Sequence, residues 1–190
     1  EASPTLSGAA EAYLAAQQNG TLDRDAAKIS AGAKKAVEIA LKNADDNEET
    51  EAAVLSEAAQ AVKDGYMSES DYVSILTQNA RETMIGIDEL KKSKAKKESL
   101  ILESIEGVLS LVDDETITED AAQSVINMIA SSQTARDMFT KATEIERDGN
   151  GKVINVKTGG SLSESEKEAW IYLYRAFDNN AKKSEERRKG

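Results

Sequence analysis

Apolar residues recur every three or four positions along most of this chain, the spacing that places them on one face of an α-helix. The clearest stripes cover residues 26–41 and 73–90, each long enough for several helical turns. Residues 100–112 form the most hydrophobic segment, so we expect the best-packed part of the core there. The pattern predicts about six or seven helices, arranged as antiparallel hairpins or a bundle.

Four short turns carry the pattern that begins a helix. In each, an apolar residue precedes Asp, Ser or Thr, and a second acid follows two or three positions later. Such a side-chain oxygen accepts a backbone N–H at a helix start, so we expect N-caps at Asp23, Ser68, Thr118 and Ser163. These positions are about 45, 50 and 45 residues apart, the length of a two-helix unit. The spacing indicates either a recurring helical hairpin or only a shared way of starting helices.

The helical pattern is interrupted late in the chain. Residues 148–151 are the strongest turn signal, and residues 152–157 are the only stretch enriched in β-branched side chains. We therefore expect a small β-hairpin near residues 150–158. Between the third cap and this turn, the candidate buried residues are Ala121, Ala122, Val125, Ile129, Met138, Phe139 and Ile145.

Two polar segments are harder to assign. Residues 91–97 contain five lysines and no apolar stripe. They form either the exposed middle of one very long helix or a turn between two helices. From Asn179 onward the chain is polar and basic, and we expect the last helix to fray there.

Composition narrows the class of fold and of chemistry. One proline and 4% aromatic residues in 190 favour an all-α protein. We expect a single helical domain over residues 1–190, with possible sub-units at 1–65, 66–112 and 113–190. Cysteine and histidine are absent, which excludes disulfides, thiolate nucleophiles, imidazole bases and the usual zinc and copper ligands.

The charge and the lengths of the apolar runs bear on the partners. A formal net charge of −11 opposes binding to a phosphate backbone, so we expect no nucleic-acid partner. The apolar runs are shorter than the roughly 20 residues that a membrane span needs. We expect no membrane span. The compartment stays open, since a chain without cysteine suits oxidising and reducing surroundings alike. A first residue other than Met suggests a processed chain or the ordered part of a longer one.

Glu146, Asp148 and Asn150 follow the spacing of the first ligands in an EF-hand calcium loop. Gly151 comes next, as that loop requires. The pattern then fails, because Lys157 occupies the position where a bidentate Glu is needed. These three residues are a weak calcium candidate, and we expect neither a metal ion nor another cofactor.

Glu103 and Glu106 are the acidic residues closest to a predicted core. A glycosidase works with carboxylates alone, so this pair is the best candidate for a carboxylate-dependent glycan hydrolase. Both positions fit the solvent side of their helix, however, and helix starts account for most other acids. We therefore expect no enzymatic activity.

The scarce aromatic residues concentrate near the end of the chain. Trp170, Tyr174 and Phe177 are three or four positions apart, as on a buried helical face, whereas Tyr172 falls on another face. Tyr and Trp are also enriched in protein–protein contacts. The segment is therefore either core or contact surface, and Trp170, Tyr172 and Tyr174 are the candidate interaction residues.

The function that these observations favour is a non-enzymatic structural or assembly role through protein–protein contacts. Helices with mixed charged faces and small-residue seams pack against sister copies or other subunits, so the expected partners are further copies of the chain or other proteins. A second hypothesis rests on the overall composition of the chain rather than on any motif. Alanine-rich helical chains without Cys, His or an initiating Met are similar to the internal and ejected proteins of tailed phages. The carboxylate-dependent hydrolase is the third.

Overall fold

The computed structural model describes residues 3–190 as helices with one small β-hairpin. The all-α class is confirmed, since helix accounts for 74% of the chain. Eight α-helices are described rather than about six or seven; one of them is a five-residue helix that follows α6. The helices are α1 (Leu6–Asn19), α2 (Leu22–Asn43), α3 (Glu48–Asp64), α4 (Glu69–Glu89), α5 (Lys94–Asp113), α6 (Glu119–Ile129), α7 (Gln133–Asp137) and α8 (Glu164–Lys189). The strands are β1 (Ala142–Arg147) and β2 (Val153–Thr158).

The chain divides into two compact units, Glu1–Leu76 and Thr77–Gly190. The boundary falls within α4, whose first part belongs to the first unit and whose second part belongs to the second. The single domain and the three possible sub-units stay predictions. Within residues 3–190, no helix is both long and apolar enough to cross a membrane.

Three of the four predicted N-caps are confirmed. Ser68 accepts the backbone N–H of Asp71, Thr118 accepts that of Ala121, and Ser163 forms a full capping box. The prediction for Asp23 is wrong: α2 begins at Leu22, which places Asp23 within its first turn. The carboxylate there still favours the helix, since it lies near the positive end of the helix dipole.

Small residues fill much of the interior of the first unit, in which α2 packs against α1 and α3. Ala33, Ala58 and Ala61 are fully buried, and so is Val37. Side chains this small allow neighbouring helices to approach closely. Tyr72 is the largest buried side chain here, and its burial raises the pKa of its hydroxyl to about 12.

A buried serine joins α2 to the start of α4. Ser30 is 4% exposed, and its Oγ accepts the backbone N–H of Ser68 at 2.7 Å while donating to Asp71 Oδ2 at 2.5 Å. Ser68 in turn accepts the backbone N–H of Asp71 at 3.1 Å. The start of α4 is therefore capped by its own serine and tied by a second serine to another helix.

Gly65 ends α3 in a left-handed backbone conformation, with φ of 93°. Glycine is favoured there because it has no Cβ. A Cβ at this position would lie only 2.7 Å from the hydroxyl oxygen of Tyr13. Gly20 ends α1 with φ of 69°, but a Cβ at Gly20 would have no atom within 4 Å. Alanine at position 65 would therefore strain the backbone and also push the Tyr13 ring aside.

The core of the second unit lies among α5, α6, α8 and the hairpin. These three helices pack against one another, and β2 packs on α8. Ile101 and Ile105 of α5 are fully buried, which confirms the predicted core in residues 100–112. Val153 and Val156 of β2 are also buried, and Ile145 of β1 lies opposite Val156 in the antiparallel pair. The predicted β-hairpin is confirmed.

Asp88, near the end of α4, caps the short helix α7 from outside. Its carboxylate accepts the backbone N–H groups of Gln133 and Thr134, both at 3.0 Å, and the Thr134 hydroxyl at 2.6 Å. Burial alone would raise the pKa of Asp88, but these hydrogen bonds and the charge of Lys97 together lower it. Asp88 therefore holds α7 best in its ionised form.

The lysine-rich segment and the polar end of the chain both contain helix. Residues 90–93 are an irregular connection between α4 and α5, and Ser93 caps α5. The lysine-rich segment therefore comprises this connection and the first turn of a helix. The last helix does not end near Asn179. It continues to Lys189, with every residue from 181 onward exposed.

Candidate interaction surface

The three residues considered as calcium ligands belong to the β-hairpin and its turn. Asp148 Oδ1 accepts the backbone N–H groups of Asn150 at 2.8 Å and Lys152 at 3.0 Å, which closes the turn between the strands. Glu146 lies in β1, opposite Asn155. Across residues 3–190, no group of three or more acidic side chains is placed to hold a metal ion.

The acidic pair suggested for glycan hydrolysis lies on the outer side of α5. Glu103 is exposed and Glu106 is half-buried, whereas Ile105 between them is fully buried. This matches their predicted position on the solvent side of the helix. The hydrolase itself stays a prediction.

The aromatic residues of α8 form a packed cluster in the second unit. Trp170, Tyr172 and Tyr174 are 5%, 7% and 1% exposed, so the candidate interaction residues lie in the core. Trp170 stacks on Tyr174, with ring centroids 6.1 Å apart. Phe177 meets Tyr174 edge-on at 5.2 Å. Of the two roles considered for this segment, its burial favours packing for these three side chains.

Phe139 is the exposed member of the cluster, although the sequence predicts it as core. It is 56% exposed, whereas its neighbour Met138 is fully buried. The short 3₁₀ turn Met138–Lys141 explains the difference, because adjacent residues of such a turn cannot face the same side. The Phe139 ring nevertheless contacts those of Tyr174 and Phe177, at 5.8 and 5.4 Å.

The backbone that carries Phe139 is held by the tyrosine beneath it. The Tyr174 hydroxyl donates to the carbonyl of Phe139 and accepts the backbone N–H of Ala142 at 3.2 Å. Burial raises the pKa of Tyr174, so this hydroxyl keeps its proton at neutral pH. We call the exposed edge formed by Phe139 and the half-buried Phe177 the aromatic edge.

A second apolar surface lies in the first unit. A groove of about 690 Å³ runs between α1 and α2 and is lined largely by small residues. Among them are Gly8, Ala9, Ala12 and Gly32. Seams of this kind allow a further helix to pack closely.

The aromatic edge was missed by reasoning from sequence, although one signal was present. Met138 and Phe139 are adjacent large apolar residues in a stretch too short for a helical stripe, so both cannot point into one core. Comparison with known proteins adds no further guide to function: no family model, no curated protein and no solved structure matches this chain.

Proposed function

We propose that this protein is a non-enzymatic assembly component that acts through protein–protein contacts, and that the aromatic edge is one of its contact surfaces. The observation that carries the proposal is Phe139, a large apolar side chain that is 56% exposed and yet fixed against two other rings. The partner is a further copy of this chain or another protein subunit.

The physical argument concerns the entropy of binding. An exposed side chain that is free to rotate loses that freedom when a partner covers it, at about 0.5–1.5 kcal/mol for each ordered side chain. Phe139 has lost much of this freedom already, because its ring is packed against Tyr174 and Phe177 and its carbonyl is hydrogen-bonded. A partner therefore gains the burial of an aromatic ring at a reduced entropic cost.

The test is the association state of the full chain as a function of concentration, measured by sedimentation velocity and by light scattering after size exclusion. We expect an oligomer, or a stable complex with a copurifying subunit. Phe139→Glu should weaken that association by about thirtyfold or more, as for the central residue of a contact. Far-UV circular dichroism establishes that the variant is folded.

Leu14→Glu is the matched control, since Leu14 is exposed to nearly the same extent as Phe139, at 57%, but lies on α1 of the first unit. It introduces the same charge into the first unit and should leave association through the aromatic edge unchanged. A strictly monomeric chain without any copurifying partner contradicts the proposed function. Equal loss of association in both variants contradicts the choice of the aromatic edge.

A further inference from the structure

A polar cleft of about 250 Å³ opens on another face of α8, away from the aromatic edge. Three elements of the second unit form its walls: the start of α6, the turn of the hairpin, and α8. The charged and aromatic side chains that matter for its chemistry are Glu119, Asp120, Lys152, Tyr172, Arg175 and Lys182.

Arg175 is held in place on the wall of this cleft. Its Nε donates to the backbone carbonyl of Val153 at 2.8 Å, which fixes the side chain to β2. Its guanidinium lies over the ring of Tyr172, 4.9 Å from the centroid. The Tyr172 ring is itself confined, because the residue is buried, and Gln123 of α6 donates a hydrogen bond to its backbone carbonyl at 3.2 Å. The guanidinium is therefore oriented before any ligand arrives.

The positive charge of Arg175 has no ion-pair partner among the described residues. Asp178, one helical turn away, is engaged by Arg147, whose Nη1 lies 2.5 Å from Asp178 Oδ2. No carboxylate of residues 3–190 lies within 4.0 Å of a side-chain nitrogen of Lys152, Arg175 or Lys182. The cleft thus holds three cations that form no ion pair.

Two acidic residues stand on the opposite wall. Glu119 and Asp120 lie in the first turn of α6, where the helix dipole stabilises their charges without a basic partner. Burial raises the pKa of Tyr172, and the nearby charge of Glu119 raises it further, while Arg175 opposes both effects. Asp178 also lines the cleft, but its charge is offset by Arg147. The three remaining cations against Glu119 and Asp120 leave the cleft with an unpaired charge of +1.

We infer that this cleft binds a carboxylate group through Arg175, with Lys152 and Lys182 at its sides. A planar guanidinium with a fixed orientation matches a carboxylate, which accepts two parallel hydrogen bonds from the Nη nitrogens. A monoanion balances the charge of +1, whereas a phosphate dianion exceeds it and is repelled by Glu119 and Asp120. The volume of about 250 Å³ lies below that of typical cofactor sites and suits a small acid or one acidic side chain.

The test is an NMR titration of the ¹⁵N-labelled full chain with N-acetyl-glutamate N-methylamide. We expect saturable shifts of the Gln123, Val153 and Arg175 amides. The N-acetyl-glutamine counterpart, which has the same shape without the charge, should cause none. Inorganic phosphate at equal concentration should bind more weakly than the glutamate compound. Propionate distinguishes the source of the carboxylate: comparable affinity indicates a free small acid, and much weaker affinity indicates an acidic side chain of a polypeptide.

Variants then assign the site. Arg175→Lys keeps the charge but loses the planar fork, so affinity should fall about tenfold. Lys182→Gln leaves the contacts of Arg175 with Val153 and Tyr172 in place, so it remains informative if an Arg175 variant is misfolded; it should weaken binding a few-fold. Arg136→Gln, at an exposed position outside the cleft, is the matched control and should change nothing.

The inference is overturned if the glutamine compound shifts the same amides, or if phosphate binds more tightly than the carboxylate. It is also overturned if the folded Arg175→Lys or Lys182→Gln protein binds as tightly as the unmodified chain. None of these outcomes depends on self-association or on Phe139, so they leave the proposed assembly function untouched.

Discussion

Replacing Ser30 by Ala removes the side chain that ties α2 to the start of α4. Two hydrogen bonds of good geometry are lost, one accepted from the Ser68 backbone at 2.7 Å and one donated to the Asp71 carboxylate at 2.5 Å. A neutral hydrogen bond contributes about 0.5–1.5 kcal/mol and one to a charged group about 1.5–3 kcal/mol. The higher helix propensity of alanine returns up to about 0.5 kcal/mol. We expect the free energy of unfolding of the first unit to fall by about 2–3 kcal/mol.

Urea denaturation followed by far-UV circular dichroism measures this loss. With a slope of about 1–3 kcal/mol per molar urea, the transition of the first unit should move by roughly 1 M or more to lower urea. Ser56→Ala is the matched control, because Ser56 is exposed on α3 and shares only the gain in helix propensity. Hydrogen exchange gives a local readout, since the Ser68 amide should lose much of its protection. Equal transitions for the two variants, with Ser68 still protected, would refute the reasoning.

Three further outcomes follow from the structure. Gly65→Ala should destabilise the first unit by about 2 kcal/mol or more, as measured by thermal unfolding, because it combines a left-handed backbone with a close contact to Tyr13. Gly20→Ala has the left-handed backbone without a close contact and should cost about 1 kcal/mol. Thr116→Val should raise the urea midpoint of the second unit, by about 1 kcal/mol in free energy, since the buried Thr116 Oγ1 has no hydrogen-bond partner; a loss of stability would show that a partner exists. Asp88→Asn should cost about 1–2 kcal/mol at pH 7, whereas Glu89→Gln, at an exposed neighbour, should cost little. Because the pKa of Asp88 is lowered in the folded state, its contribution to the free energy of unfolding is complete above about pH 4 and is lost as pH falls through the folded-state pKa. The stabilities of wild type and Asp88→Asn should therefore converge in acid.

Helix starts were the most predictable part of this fold, because a cap is a local device. Ser68, Thr118 and Ser163 each need only their own side chain and an amide three residues later. Asp23 satisfied the same pattern but lies within the first turn of α2, since Thr21 already holds the N-cap position there. The pattern therefore locates a helix start to within about two residues but does not select the capping residue.

Contacts between distant segments were not predictable from periodicity. Asp88 and Thr134 are 46 residues apart in sequence, and nothing local to either indicates that one caps the helix of the other. Strand β1 was missed for a similar reason, because its alternating charged residues acquire a partner only when β2 lies beside it. The lysine-rich segment was left open because its cap, Ser93, is followed by lysines rather than by acids.

The candidate surface was only partly within reach of the sequence. The spacing of Trp170 and Tyr174 indicated a buried face, and the structure buries both. Which aromatic residue stays exposed depends on the 3₁₀ turn at Met138, whose geometry no stripe of three and four describes. The cleft around Arg175 was not predictable from the sequence either, because its walls come from three separate elements: α6, the hairpin and α8.

Because the end of α8 is exposed, the backbone hydrogen bonds at the two ends of this helix should open at very different rates. Its buried residues end at Ala176, while residues 181–190 contact solvent on all sides. Those last turns are held by backbone hydrogen bonds and by the favourable position of Arg187, Arg188 and Lys189 at the negative end of the helix dipole, an effect that salt screens. On heating or in concentrated salt, the helix should shorten from this end in sub-microsecond steps, while amides near Leu173 exchange only when the whole unit opens. The local stability of α8 therefore decreases along its length, from the buried turns that belong to the core to the exposed turns that fray.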